Sequence, residues 1–142
     1  MASQHGYYLE DLKTGMSASF AKTVTEADIV LFAGVTGDTN PVHLDEEFAR
    51  ETMFEGRIAH GMLTAGLIST VLGTKLPGPG CIYVGQSLKF KAPVRAGDTV
   101  VATCTVGDID RERARVKLDC VCTVKGNTVL EGEATLMVSK KS

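Results

Sequence analysis

An aspartate and a histidine stand five residues apart in Gly37-Asp38-Thr39-Asn40-Pro41-Val42-His43, and Gly61 follows within Ile58-Ala59-His60-Gly61-Met62. Carboxylate and imidazole are the side chains that most readily activate water and relay its protons near neutral pH. Gly61 opens an apolar run that includes Met62, Leu63, Ala65, Leu67, Ile68, Val71 and Leu72. A helix beginning there leaves its first N–H groups without intrahelical partners, at the positive end of the helix dipole. Such donors can hold a developing oxyanion or enolate, and glycine lets a substrate come close to the backbone. A proton-transfer pair beside an anion site suits chemistry on a carbonyl compound that gathers negative charge on oxygen.

Neighbours on one helix face are three or four residues apart, so a spacing of five would separate Asp38 from His43 on a helix. Pro41 has no N–H and biases Asn40 toward extended backbone, so the segment is predicted to stay out of a helix. In an extended or turning loop both side chains can lean into one cavity, with Asn40 bonding its own backbone. The plainer alternative makes Asp38 and Asn40 ordinary turn formers, His43 a surface residue and His60 a cap or core histidine.

The elements that must position these residues follow from the pattern along the chain. Ser17 to Val24 has strand character and leads into Thr25-Glu26-Ala27-Asp28, a variant capping box for a short helix that ends around Gly34 to Gly37. Asp45 is placed to cap a second short helix through Glu46 to Arg50. The apolar run from Met62 to Leu72 reads as a buried helix, too short to span a bilayer, and Leu76-Pro77-Gly78-Pro79-Gly80 ends it. Four strands are predicted beyond: Cys81 to Phe90, Thr99 to Val106, an alternating run from Ala114 to Val124, and a last one reached through a tight turn at Gly126-Asn127.

With 142 residues and 44% hydrophobic composition, the chain reads as one globular domain over residues 1–142. A net charge of −2 gives no general attraction to nucleic acid or anionic membrane. Met1 to Glu10 has no apolar core of a secretory signal. Cys81, Cys104, Cys120 and Cys122 contain no Cys-x-x-Cys pair, and Cys120 and Cys122 suit small buried hydrophobes in a reducing cytoplasm rather than metal ligands.

One long buried helix followed by an antiparallel meander resembles the α+β hot-dog fold, a sheet wrapped around a central helix, with a short helical overhang carrying the catalytic loop. Gly37 to His43, Ala59-His60-Gly61-Met62 and Tyr83-Val84-Gly85-Gln86-Ser87-Leu88-Lys89-Phe90 resemble, in that order, the motifs of the MaoC-like hydratases. Most similar are the single-domain (R)-specific enoyl-CoA hydratases that feed polyhydroxyalkanoate synthesis. The resemblance implies reversible syn hydration of a trans-2-enoyl-CoA to an (R)-3-hydroxyacyl-CoA. It implies that Asp38 and His43 hold the attacking water, that Gly61 N–H binds the thioester oxygen, that Asn40 shapes the loop and that Ser69 supports the site. It further implies a homodimer joined sheet edge to sheet edge, with no metal or other cofactor, the enoyl thioester being the substrate.

Lys89, Lys91 and Arg95 lie close together around Phe90 and Pro93, where they would meet CoA phosphates or an acidic acyl carrier protein, or form an ordinary solvated strand end. Two other functions stay open. An acyl-CoA thioesterase of the same fold commonly uses an acid on or near the central helix, and Met62 to Leu72 contains none. A non-catalytic acyl-thioester binding subunit would have little use for a charged pair.

Overall fold

A computed structural model describes residues 4–141. A 3-10 turn at Leu9–Asp11 precedes strand β1, Ser17–Thr23, and helix α1, Glu26–Thr36. Two short helices follow, α2 at Pro41–Leu44 and α3 at Glu46–Arg50, then the long helix α4, Gly61–Thr74. The remaining strands are β2 (Ile82–Gln86), β3 (Lys89–Phe90), β4 (Thr99–Asp110), β5 (Arg115–Val124) and β6 (Asn127–Met137).

The sheet runs in the order β1-β4-β5-β6-β2, with β3 also on β6, and every pairing is antiparallel. Strict alternation explains β5: Val116, Leu118, Cys120 and Cys122 are buried, and Arg115, Lys117 and Asp119 point away. Helix α4 lies against β1, β4 and β5, burying Leu63, Leu67, Ile68, Val71 and Leu72. This is the hot-dog arrangement, with residues 26–60 as an overhang between β1 and the central helix.

Besides β4, which runs on to Asp110 where Val106 was expected, three details differ from the pattern-based reading. The segment Cys81 to Phe90 is not one strand, because pairing to β6 stops after Gln86 and resumes at Lys89. The final hairpin turns at Lys125-Gly126, one residue earlier than predicted, since Val124 pairs directly with Asn127. Both loop residues have positive φ, 50° and 80°, the backbone that suits a two-residue hairpin twist.

Pro41 gives the third correction. It does not exclude a helix but occupies the first turn of α2, where a missing N–H costs nothing. Asn40 is the cap: its Oδ1 accepts from Val42 N–H at 3.1 Å. His43 is therefore a helical residue, and Asp38 alone lies on the connecting loop.

Candidate active site

The sequence places a well-formed start on each piece of the overhang. Thr25 and Asp28 cap α1 reciprocally, Thr25 Oγ1 accepting from Asp28 N–H at 3.1 Å and Asp28 Oδ2 accepting from Thr25 N–H at 2.9 Å. Beyond α1, Asp38 Oδ1 accepts from Asn40 N–H at 3.2 Å, and Asn40 in turn caps α2. Asp45 Oδ1 accepts from Phe48 N–H at 3.2 Å and starts α3. These nested turns deliver His43 inward, 8% exposed, and leave Asp38 at the surface.

His43 Nδ1–H donates to the Ile58 carbonyl at 2.8 Å. A carbonyl only accepts, so this bond puts a proton on Nδ1, and in the neutral ring Nε2 is then the acceptor. One donor atom each from Asp38, His43 and His60 lies within 4.8 Å of the others. The structure thus joins the two residues singled out by spacing and adds a third. A carboxylate with two imidazoles is also a donor set a transition metal would accept.

His60 is 1% exposed. Its Nε2–H donates to the Asp38 carbonyl at 2.9 Å, and its ring lies 3.9 Å from that of His43, centroid to centroid. Sequence reasoning treated it as a cap or core histidine. Its position directly before the helix-opening glycine was the available signal.

Gly61 begins α4, and its N–H has no acceptor among the described residues. It also lines an apolar cavity of about 600 Å³, together with Phe54, Ile58, Met62, Phe90 and Leu130. Asp38 and His43 do not line this cavity. Gly61 and Ile58, whose carbonyl holds His43, connect the two. Thr64, one turn along α4, is buried and lines the cavity with its hydroxyl unpartnered.

The other expected residues are placed differently. Ser69 is exposed on α4, about 12 Å along the helix from Gly61, and lines a separate cleft with Tyr83, Gly85 and Gln86. It is not brought to the Asp38–His43 cluster within this chain. Arg95 is turned inward: its guanidinium donates to the carbonyls of Arg57, at 3.1 Å, and Phe54. Arg57 continues the clamp, donating to the His43 carbonyl at 2.7 Å and pairing with Glu26. These arginines hold the overhang on the sheet. Lys91 pairs with Glu131 at 3.4 Å, and Lys89 shares a shallow cleft with Asp119, Glu131 and Glu133. Acidic neighbours there offset the positive charge expected to meet phosphates.

Among the described residues no helix is long and apolar enough to cross a membrane. Cys104, Cys120 and Cys122 are fully buried and unbridged, as alternation suggested for Cys120 and Cys122.

Comparison with known proteins points the same way as this geometry. Residues 10–129 match the model of the MaoC like domain. The chain is 62% identical to the (R)-specific enoyl-CoA hydratase of Rhodospirillum rubrum over 132 residues, covering 93% of this chain and 92% of that one. It is 52% identical to the 3-hydroxybutyryl-CoA dehydratase of Methylorubrum extorquens, covering 94% and 85%. The unliganded R-hydratase of Pseudomonas aeruginosa superposes with a TM-score of 0.87 at 41% identity, covering 94% of this chain and 86% of that one.

Proposed function

The chain belongs to the MaoC-like domain family, and from that premise we propose that it is an (R)-specific enoyl-CoA hydratase, a hydro-lyase adding water reversibly across a trans-2-enoyl-CoA. One observation carries the reading. The Asp38 carboxylate, a His43 imidazole with its acceptor nitrogen bare, and the acceptor-free N–H of Gly61 are drawn together by the His60 contacts.

Water is a poor nucleophile, and the conjugated thioester a modest acceptor. Asp38 and His43 together hold the water and take its proton as its oxygen bonds to C3. The C2–C3 π electrons shift toward the carbonyl, and the enolate oxygen rests on Gly61 N–H. A proton from the pair then reaches C2 as the enolate collapses. Addition and protonation from the same side of the alkene give the syn product, and the face of C3 turned toward the Asp38–His43 water sets the (R) configuration. The acyl thioester needs an apolar enclosure beside the reacting carbons, and the cavity that Gly61 lines supplies one. No redox step occurs.

Assembly as a homodimer is part of the proposal. Strand β2 ends the sheet order with Ile82 and Val84 more than half exposed, and Met62 on α4 is 57% exposed. A second copy would cover this edge. The unbridged thiols support a reducing compartment such as the cytoplasm. Supply of (R)-3-hydroxyacyl units for polyhydroxyalkanoate is the metabolic use we infer.

The test is loss of enoyl-thioester ultraviolet absorbance on adding the protein to crotonyl-CoA, with chiral analysis of the product. Formation of (R)-3-hydroxybutyryl-CoA, reduced at least about 100-fold by Asp38→Asn and by His43→Ala, is expected. Release of free CoA would make the protein a thioesterase. No turnover would make it a binding subunit.

A further inference from the structure

We propose that His60 is a positioning residue for the hydration, fastening the Asp38 loop, the His43 ring and the start of α4 into one unit. The proposal deepens the hydratase reading and rests on it.

His60 is the residue before Gly61, and its carbonyl accepts the Leu63 N–H at 3.1 Å. Its backbone is therefore fixed to the same helix turn that presents the Gly61 N–H. Its side chain does not cap that helix. It turns back instead, and its Nε2–H reaches the Asp38 carbonyl at 2.9 Å. The ring also lies against His43, 3.9 Å between centroids with planes inclined by 30°, and against Phe32 on α1 at 4.7 Å. Three components of the reaction, contributed by a loop, a short helix and the central helix, thus meet on one imidazole.

The chemistry of the ring supports this role over simple space filling. Packing between Phe32 and His43 needs only an apolar or aromatic body. An imidazole there leaves Nδ1 buried without a partner among the described residues, a burden that a phenyl ring would not carry. What the imidazole adds is the single N–H to Asp38. That bond holds the backbone of the residue whose carboxylate must face water, at a fixed distance from the N–H that must face the thioester oxygen. Without it the Asp38 loop retains its own turns but loses its tie to α4. A displacement of about 1 Å between reacting groups can cost about 100-fold in rate.

His60 does not line the apolar cavity that would take the acyl chain, so its loss should appear in kcat. His60→Phe keeps the packing and removes the donor, whereas His60→Gln keeps a donor of similar reach. With crotonyl-CoA, His60→Phe is expected to lower kcat roughly 10- to 100-fold while KM stays within about 3-fold. His60→Gln should regain part of that loss. In an Asp38→Asn background His60→Phe should add almost nothing, because the bond acts through the missing carboxylate.

A full additive loss in that background, or a kcat loss that tracks a lowered melting temperature, would overturn the role. A nitrogen-15 NMR measurement on the unmodified protein tests the contact without relying on any variant to fold. His60 should carry its proton on Nε2 and His43 on Nδ1. A proton on His60 Nδ1 would overturn the proposal. Absence of hydration by the unmodified protein would defeat the hydratase reading, whereas full kcat in His60→Phe defeats this inference alone.

Discussion

The ring of Phe90 occupies the space in which a side chain at position 61 would begin. An ideal Cβ on Gly61 would stand 2.6 Å from Phe90 Cε1 and 2.8 Å from Cδ1, distances that no unstrained contact allows. Phe90 is held there by its strand, since β3 pairs with β6 through Phe90 and Leu130. Both Phe90 and Gly61 line the apolar cavity. Part of that cavity's wall is therefore set jointly by the short strand and by the first residue of the central helix.

Gly61→Ala should consequently cost activity more than stability. Phe90 is 56% exposed, so its ring has solvent to turn into. Displacement of the ring within the cavity wall should lower kcat/KM at least about 10-fold, with little change in melting temperature. Phe90→Ala added to Gly61→Ala should recover most of the loss. A double variant as slow as the single would show that the methyl group itself obstructs the substrate.

Asn40 connects local structure to chemistry. Its side chain caps α2, and α2 carries His43. Asn40→Ala is expected to remove about 1 kcal/mol of stability and to lower kcat through misplacement of the imidazole. Asn40→Asp keeps a capping oxygen and should restore stability. Thermal unfolding and crotonyl-CoA turnover, measured on the same two variants, check both parts.

Much of this site was legible because its residues are close in sequence or obey simple periodicity. Asp38 and His43 are five apart, and Gly61 sits at the abrupt change from mixed to apolar composition. Proline misled because one residue type both breaks helices and starts them, and only the Asn40 cap distinguishes the cases. The surroundings of Arg95 were hidden for a different reason. Arg95 is spent on carbonyls 38 and 41 residues away, and such long-range partners leave no trace in local spacing. The Phe90–Gly61 contact and the His60–Asp38 bond are tertiary facts of the same kind.

Thr64 offers a test of an unpaired buried group. Its hydroxyl has no partner among the described residues although the residue is only 3% exposed. Thr64→Val removes the hydroxyl with little change of shape, and should stabilise the fold by about 1 kcal/mol, or about 3–5 °C in melting temperature. Calorimetry decides it. A destabilised variant would mean that the hydroxyl finds a partner in solution.

Two of the three buried thiols, Cys104 and Cys122, make the fold sensitive to alkali, whereas Cys120, accepting from Cys104, is shifted downward; the sign follows from which state holds its protons. Burial pushes the Cys122 thiol from an ordinary 9.0 up to about 12. Cys104, donating toward the Cys120 sulfur at 3.6 Å and also buried, is likewise raised. In the unfolded chain these thiols ionise near pH 9, whereas in the fold they keep their protons. Above pH 9 the native state binds more protons than the unfolded state, so stability falls as pH rises. The contribution of Cys122 should be fully present below pH 9 and lost progressively toward about 12. Chemical denaturation between pH 8 and 11 should show a declining midpoint, and Cys122→Ala should flatten that decline. The same burial predicts that a disulfide reagent at neutral pH modifies at most Cys81, the one half-exposed thiol, and reaches all four only after unfolding. Rapid native-state modification of more than one cysteine would show that β4 and β5 open far more readily than their packing implies.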